Sequence, residues 1–268
     1  TNHEESAALA ATANAKITNN IGCAVVTTGP GCTNALTGLL AAWQDSVPCI
    51  FISGQARSNH VSYGLKVRQV GTQEVNICDI VKPITKYTKF IDKKENFISE
   101  FYKAIKIAKS GRPGPVWIDL PLELQWSEID FNYSSKKEEV KTLDLKLENE
   151  YQKSLKLIEK SKKPIFILGY GLRTSKLDIK KIRGYTKKNN IPFVCTWNSA
   201  DLLSTKNELN LGTIGMSGHR GANKAVFESD LIICLGTHLS IPHTTTLYES
   251  YATQAKKIII NIDSNQIK

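Results

Sequence analysis

The stretch Cys23-Ala24-Val25-Val26-Thr27-Thr28-Gly29-Pro30-Gly31-Cys32-Thr33-Asn34 decides how the chain folds. An apolar run with β-branched residues, Cys23 to Thr27, predicts a strand, because branched side chains fit an extended, pleated backbone. Thr28 to Gly31 predicts a tight turn, and the Ala/Leu-rich segment Cys32 to Trp43 predicts a helix that returns to a second apolar strand at Cys49 to Ser53. Strand, turn, helix and parallel strand make one βαβ crossover, the building unit of a parallel sheet.

Working outward, Glu4 to Thr18 reads as an Ala-rich helix. Lys94 to Lys109 carries Phe97, Ile98, Phe101, Ile105 and Ala108 at helical spacing, and the stop Ser110-Gly111-Arg112-Pro113-Gly114 leads into a strand at Pro115 to Leu120. From Ser127 to Glu150 the apolar runs give way to charge, notably at Ser134 to Glu139 and Asp144 to Glu150, as in a surface linker. Beyond it come a helix at Tyr151 to Lys160, the strand Pro164 to Leu168 running into Gly169-Tyr170-Gly171, and strands at Ile191 to Thr196, Asp230 to Leu235 and Lys257 to Ile262, with helices expected between them. The expected fold is α/β, with two doubly wound parallel-sheet domains at 1–126 and 151–268 joined by a linker at 127–150. The chain opens on Thr1 directly in a helical pattern and closes on Lys268 just after a strand, so truncation at both ends is expected.

Composition narrows the function classes. No run approaches the ~20 apolar residues of a membrane-spanning helix, and no basic-then-apolar signal segment opens the chain, so a cytoplasmic protein without membrane contact is expected. The net charge of +10 comes from lysines scattered over helical stretches such as Lys176 to Lys188, without an RNP, zinc-finger or helix-turn-helix pattern; solvated helix faces explain it better than nucleic acid does. The six cysteines stand singly, without C-x-x-C pairs, and read as reduced core thiols. His60, His219, His238 and His243 lack the spacing of a metal site or a triad and read as surface or loop residues, so no metal ligand is expected in this chain.

Two features could carry chemistry. His3-Glu4-Glu5 heads the first helix, where acids suit the helix dipole whether or not they do more. The turn at Thr28 to Gly31 puts a glycine-flanked bend at a helix start, where free N–H groups can meet a polar ligand, although a turn so rich in Gly and Pro is also an ordinary bend.

These residues resemble a known family when taken in order with Asp45-Ser46-Val47-Pro48, Gly54-Gln55, Gln73-Glu74, Lys82-Pro83-Ile84-Thr85-Lys86 and Gly111 to Val116. The first half is similar to the transketolase-like pyrimidine-binding domain of thiamine-diphosphate enzymes of the acetolactate synthase large-subunit type. The second half is similar to that family's Rossmann-like central domain, through Lys163-Pro164, Gly169-x-Gly171, Ile191-Pro192, Gly215-Met216-x-Gly218, Ser229-Asp230-Leu231 and Ile260-Asn261-Ile262-Asp263. The resemblance implies that Glu4 bonds N1′ of the cofactor's aminopyrimidine in a dry surround, favouring the tautomer whose 4′-nitrogen takes the proton from the thiazolium C2. Glu5 is the fallback one residue on. It further implies that Pro30 and Asn34 line thiamine diphosphate and that Gln73 faces the substrate.

The family holds the diphosphate and its Mg2+ with a Gly-Asp-Gly segment in a third domain. No Gly-Asp dipeptide occurs in this sequence, so Mg2+ is expected on that absent domain. The family's central domain often carries FAD, which the resemblance would set against Gly169, Gly171, Thr196, Met216 and Gly236. The segment Thr237 to Pro242 lacks the Arg and paired Asp of flavin-binding relatives, and FAD stays an open alternative. Arg68-Gln69-Val70-Gly71-Thr72 stands where acetolactate synthases carry Asp-Ala-Phe, and resembles relatives that pass a two-carbon unit to a keto-sugar nucleotide. The expected function is decarboxylation of a 2-oxo acid such as pyruvate with two-carbon transfer to a carbonyl acceptor, in a homodimer or homotetramer. A simple 2-oxo-acid decarboxylase and a non-catalytic assembly chain are the alternatives.

Overall fold

The computed structural model describes residues 1–129, 145–175, 177–244, 246 and 248–267. Two compact units, Thr1–Lys137 and Glu138–Lys268, divide the chain within the expected linker. In the first, the elements run α1 (Glu4–Thr18), β1 (Gly22–Val26), α2 (Pro30–Asn34), α3 (Leu36–Gln44), β2 (Cys49–Gln55), α4 (Ile77–Val81), β3 (Tyr87–Phe90), α5 (Lys94–Lys109), β4 (Val116–Pro121) and α6 (Leu122–Gln125). The strands form one parallel sheet in the order β1-β2-β4-β3. The second unit runs α7 (Leu145–Lys160), β5 (Pro164–Leu168), α8 (Gly171–Thr174), α9 (Ile179–Asn189), β6 (Phe193–Cys195), β7 (Asn210–Thr213), α10 (Arg220–Phe227), β8 (Leu231–Leu235) and β9 (Lys256–Ile260). Its sheet is also parallel, in the order β7-β6-β5-β8-β9, whose direction of winding reverses between β5 and β8. The α/β class with two parallel sheets holds.

Several expected elements differ. The helix expected from Cys32 to Trp43 is two pieces, α2 and α3, separated at Ala35. α7 begins at Leu145, so the charged run up to Glu150 is helix and not linker, whereas Ser134 to Glu139 lies outside the described residues. β3 and β7 are edge strands without an apolar alternation to announce them, every residue of each being half-buried. Between β8 and β9 the expected helix is absent among the described residues; turns and a short 3-10 segment at Tyr248–Ser250 make the connection.

Both faces of the second sheet are covered, as parallel sheets require. Ile165, Ile167, Val194, Ile232 and Cys234 face α10 through Ala222 and Val226, while Phe166, Leu168, Phe193 and Ile233 pack with Ile182 of α9 and Leu157 of α7. The lysines of α9 are exposed, and Ile182 and Thr186 are its buried residues. In the first unit, Ile50, Val116 and Ile118 pack against Ala104, Ala108, Phe97 and Phe101 of α5. All six cysteines are free; Cys32, Cys49, Cys195 and Cys234 are buried and Cys78 half-buried, but Cys23 is exposed and is no core thiol. No helix among the described residues is long and apolar enough to cross a membrane.

The seam under α1 is made of small residues. Ala8, Ala11, Thr12 and Ala15 are its buried positions. A Cβ on Gly38 of α3 would stand 2.5 Å from the Ala8 Cβ, and one on Gly22 would stand 2.2 Å from the Ala11 carbonyl oxygen. Thr12 Oγ1 reaches the carbonyl oxygens of Ala8 at 3.0 Å and Gly38 at 3.3 Å. This close approach carries the first turn of α1 to the start of α2.

Candidate active site

α1 begins where His3 takes an extended backbone and its Nδ1 accepts from the Glu5 N–H at 3.2 Å. That cap fixes the first turn and turns Glu4 toward α2. Glu4 Oε2 accepts from Asn34 Nδ2 at 3.2 Å, and Oε1 lies 3.0 Å from where a Cβ on Gly31 would stand. The same Cβ would meet Thr27 Cγ2 at 2.4 Å, so only glycine lets the turn pack this closely under Thr27 and the carboxylate. The Asn34 hydrogen bond, with a backbone N–H, holds Glu4 below the usual carboxylate range, so it is ionised at neutral pH. Glu4, not Glu5, is thus the acid set on the glycine turn. Its surroundings within this chain are half-open rather than dry.

Gly29 adopts φ 60°, and a Cβ there would stand 2.4 Å from the Gln73 carbonyl oxygen, so the turn accepts only glycine against the Gln73 backbone. Pro30 opens α2 and Asn34 closes it, one turn apart. Gln73 has φ 57°, a left-handed conformation unusual for a residue with a side chain. The loop behind it hangs from buried Glu74, which accepts from Ser62 N at 3.0 Å, Ser62 Oγ at 2.7 Å and Val70 N at 3.1 Å. Between turn and loop lies an open cleft of about 630 Å³, lined by Pro30, Thr33, Arg68, Gln69 and Gln73 among others. The structure therefore brings Glu4, Asn34 and Gly31 together, sets Gln73 and Pro30 on the neighbouring cleft, and adds Arg68.

The second unit presents a different edge. The Gly169 N–H donates to the Leu235 carbonyl at 2.9 Å and the Gly171 N–H to the Gly236 carbonyl at 2.8 Å. A Cβ on Gly169 would stand 2.3 Å from the Gly236 oxygen, and Gly236 has φ 60°. These glycines close the ends of β5 and β8 on each other, and both amides bond protein carbonyls. Thr196 Oγ1 is buried 2.9 Å from Ser199 Oγ, while Met216 is 70% exposed and its N–H donates to the Pro242 carbonyl. His243 is not a free surface residue: it packs edge-on to Trp197 at 5.6 Å, and burial lowers its pKa. His219 Nδ1 accepts from the Thr213 N–H at 3.1 Å. Among the described residues no group of three or more His, Cys, Asp or Glu could hold a metal ion.

The residues missed from sequence are Asp119, Gln55 and Thr28, which form a polar network beneath the Gln73 loop. The available signal was an acid at Asp119 inside the apolar strand Val116–Pro121, fully buried without the pairing that buried charges need.

Two family models match the chain. The one described as the N-terminal TPP binding domain of thiamine pyrophosphate enzymes covers residues 1–80, and the central domain of the same enzymes covers residues 151–268. The chain is 34% identical to the acetolactate synthase large subunit of Haemophilus influenzae over 99% of its own length and 46% of the relative's. It is 36% identical to that of Lactococcus lactis over 88% and 40%, and 32% identical to acetolactate synthase 1, chloroplastic, of Nicotiana tabacum over 99% and 39%. The chain thus spans less than half the length of these relatives. The chain belongs to the thiamine pyrophosphate enzyme family, of which it carries the N-terminal cofactor-binding domain and the central domain.

Proposed function

We propose that the chain supplies the pyrimidine side of a thiamine-diphosphate transferase similar to acetolactate synthase, which decarboxylates a 2-oxo acid such as pyruvate and transfers the two-carbon unit to a carbonyl acceptor. The observation that carries this reading is Glu4: an ionised carboxylate at the head of α1, bonded by Asn34 and set against the glycine turn at Gly31. That arrangement fits an aminopyrimidine. Glu4 accepts a hydrogen bond from the ring, Asn34 fixes the direction of the carboxylate, and Pro30 stands at the rim. When bound, thiamine diphosphate supplies the carbon nucleophile and the electron sink. Gln73 presents its amide to the substrate from the opposite wall of the cleft. Mg2+, held with the diphosphate by a further domain, and assembly as a homodimer or homotetramer in the cytoplasm complete the proposal.

Arg68 favours a charged acceptor. It lines the cleft beside Gln73 and makes no ion pair among the described residues, so the phosphates of a keto-sugar nucleotide would find a cation there. A flavin fits less well: the Gly169 and Gly171 N–H groups are spent on protein carbonyls. Visible absorbance of the purified protein tests for it.

The experiment follows carbon dioxide release from pyruvate with thiamine diphosphate and Mg2+, then identifies the product with pyruvate or a keto-sugar nucleotide as acceptor. Cofactor-dependent release with a two-carbon adduct supports the reading. No release from any 2-oxo acid would leave the non-catalytic alternative.

A further inference from the structure

Asp119 lies near the carboxyl end of β4, fully buried and in register with Ser53 of β2. Its Oδ1 accepts from Ser53 Oγ at 2.5 Å; its Oδ2 accepts from Gln55 Nε2 at 2.9 Å and faces the Tyr63 hydroxyl at 3.3 Å. Ser53 Oγ in turn accepts from Trp117 Nε1 at 2.8 Å. Among the described residues no lysine, arginine or histidine pairs with Asp119, so three neutral donors alone meet its charge, and burial raises its pKa to about 6. A buried charge without a counter-charge is unfavourable, and the three donors are what offsets its cost.

What the acid does is visible in its donors. The Gln55 amide is fully used. Nε2 donates to Asp119 and to the Val75 carbonyl at 2.7 Å, while Oε1 accepts from the Ala56 N–H at 2.9 Å and the Thr28 hydroxyl at 3.2 Å. The Thr28 hydroxyl and the Tyr63 hydroxyl each lie 3.5 Å from a further carbonyl, those of Gln73 and Val75. A carboxylate that can only accept dictates which end of the Gln55 amide faces inward. The outward end then meets the Gly29 turn, and the inward end also grips Val75, two residues beyond left-handed Gln73.

We propose that Asp119 is a positioning residue: it orients the Gln55 amide, and through Gln55 holds Gln73 to Val75 against the glycine turn at the cleft. Its consequence for turnover rests on the reading of Gln73 as a substrate-facing group. The test compares the holoenzyme with Asp119→Asn, Gln73→Ala and the double variant, by amide hydrogen exchange and by carbon dioxide release. In Asp119→Asn, exchange over Gln73 to Val75 rises by roughly tenfold, the scale of one lost buried hydrogen bond, while amides of β1 and β5 keep their protection. The same variant lowers kcat several-fold at little change in cofactor affinity, and that loss disappears when Gln73 is already alanine. Unchanged exchange over Gln73 to Val75 overturns the proposal, and so does an equal kcat loss in both backgrounds, which is what general damage to the core would give. Should Asp119→Asn fail to fold, Tyr63→Phe removes one of the three donors, leaves the carboxylate in place and carries the same comparison. If Gln73→Ala alone leaves kcat unaltered, the substrate-facing role of Gln73 fails separately, and the exchange result alone decides whether Asp119 positions the segment.

Discussion

The two sheets end in different ways at the carboxyl ends of their strands. In the first unit, the ends of β1, β2 and β4 carry hydrogen-bonded polar side chains, Thr28, Gln55 and Asp119, and α1 brings Glu4 to Asn34. In the second, the ends of β5 and β8 carry glycines whose backbones close on one another. One architecture thus places polar side chains at this edge in one domain and backbone packing in the other. Function must be argued from the site rather than from the doubly wound fold.

The comparison can be broken most easily at the glycines. Gly236→Ala puts a Cβ 2.8 Å from the Gly171 backbone at a left-handed φ, and overpacking together with conformational strain is expected to destabilise the second unit by roughly 4 kcal/mol. Thermal unfolding checks this; a shift near zero would mean that the edge is looser than its hydrogen bonds indicate.

Asp119 gives the next effect. Its folded pKa of about 6 lies above the ordinary value, so the folded state binds the proton more tightly than the unfolded chain. The charged form is therefore penalised: the contribution of Asp119 to stability is greatest below about pH 4, falls as pH rises to about 6 and levels off above, a change of about 3 kcal/mol. The ionisable groups that feel this charge are Tyr63, Cys32 and Cys78, and all three are raised and neutral in that range. Chemical denaturation of wild type and Asp119→Asn across pH 4 to 8 measures it, and the difference between the two curves isolates the slope that belongs to Asp119.

Ser53→Ala removes one donor to Asp119 and leaves the Trp117 N–H unmet, with an expected loss of about 2 kcal/mol by denaturant titration. The smallest effect on folding is that of Asn34→Ala, within about 0.5 kcal/mol because Asn34 is exposed. Its effect on thiamine diphosphate affinity, read by fluorescence titration, should be plainly larger than its effect on Tm.

Much of this was legible in the sequence where residue pattern and geometry coincide. α1 and α5 have the predicted bounds because their apolar or small positions repeat at helical spacing, and the glycine turn was recognisable because Gly29 and Gly31 stand where backbone and carboxylate approach too closely for a side chain. β3 and β7 were not legible: at the sheet edges they are half-covered, and Tyr87–Phe90 and Asn210–Thr213 carry no alternation. Glu4 is named through the family resemblance, since by residue pattern alone an acid at a helix start is ordinary. The Asp119 network was not legible, since its members lie 64 and 66 residues apart and meet only through the register of β2 with β4.

The most direct test of the central claim is Glu4→Gln in the holoenzyme. The amide keeps the size of the side chain and its reach to Asn34 but removes the charge that the ring must meet. The account predicts a fall in the rate of carbon dioxide release from pyruvate of about 100-fold or more at saturating cofactor, with folding stability unchanged. Turnover within a factor of about two of wild type would contradict it, for Glu4 would then be a helix-start acid and nothing more.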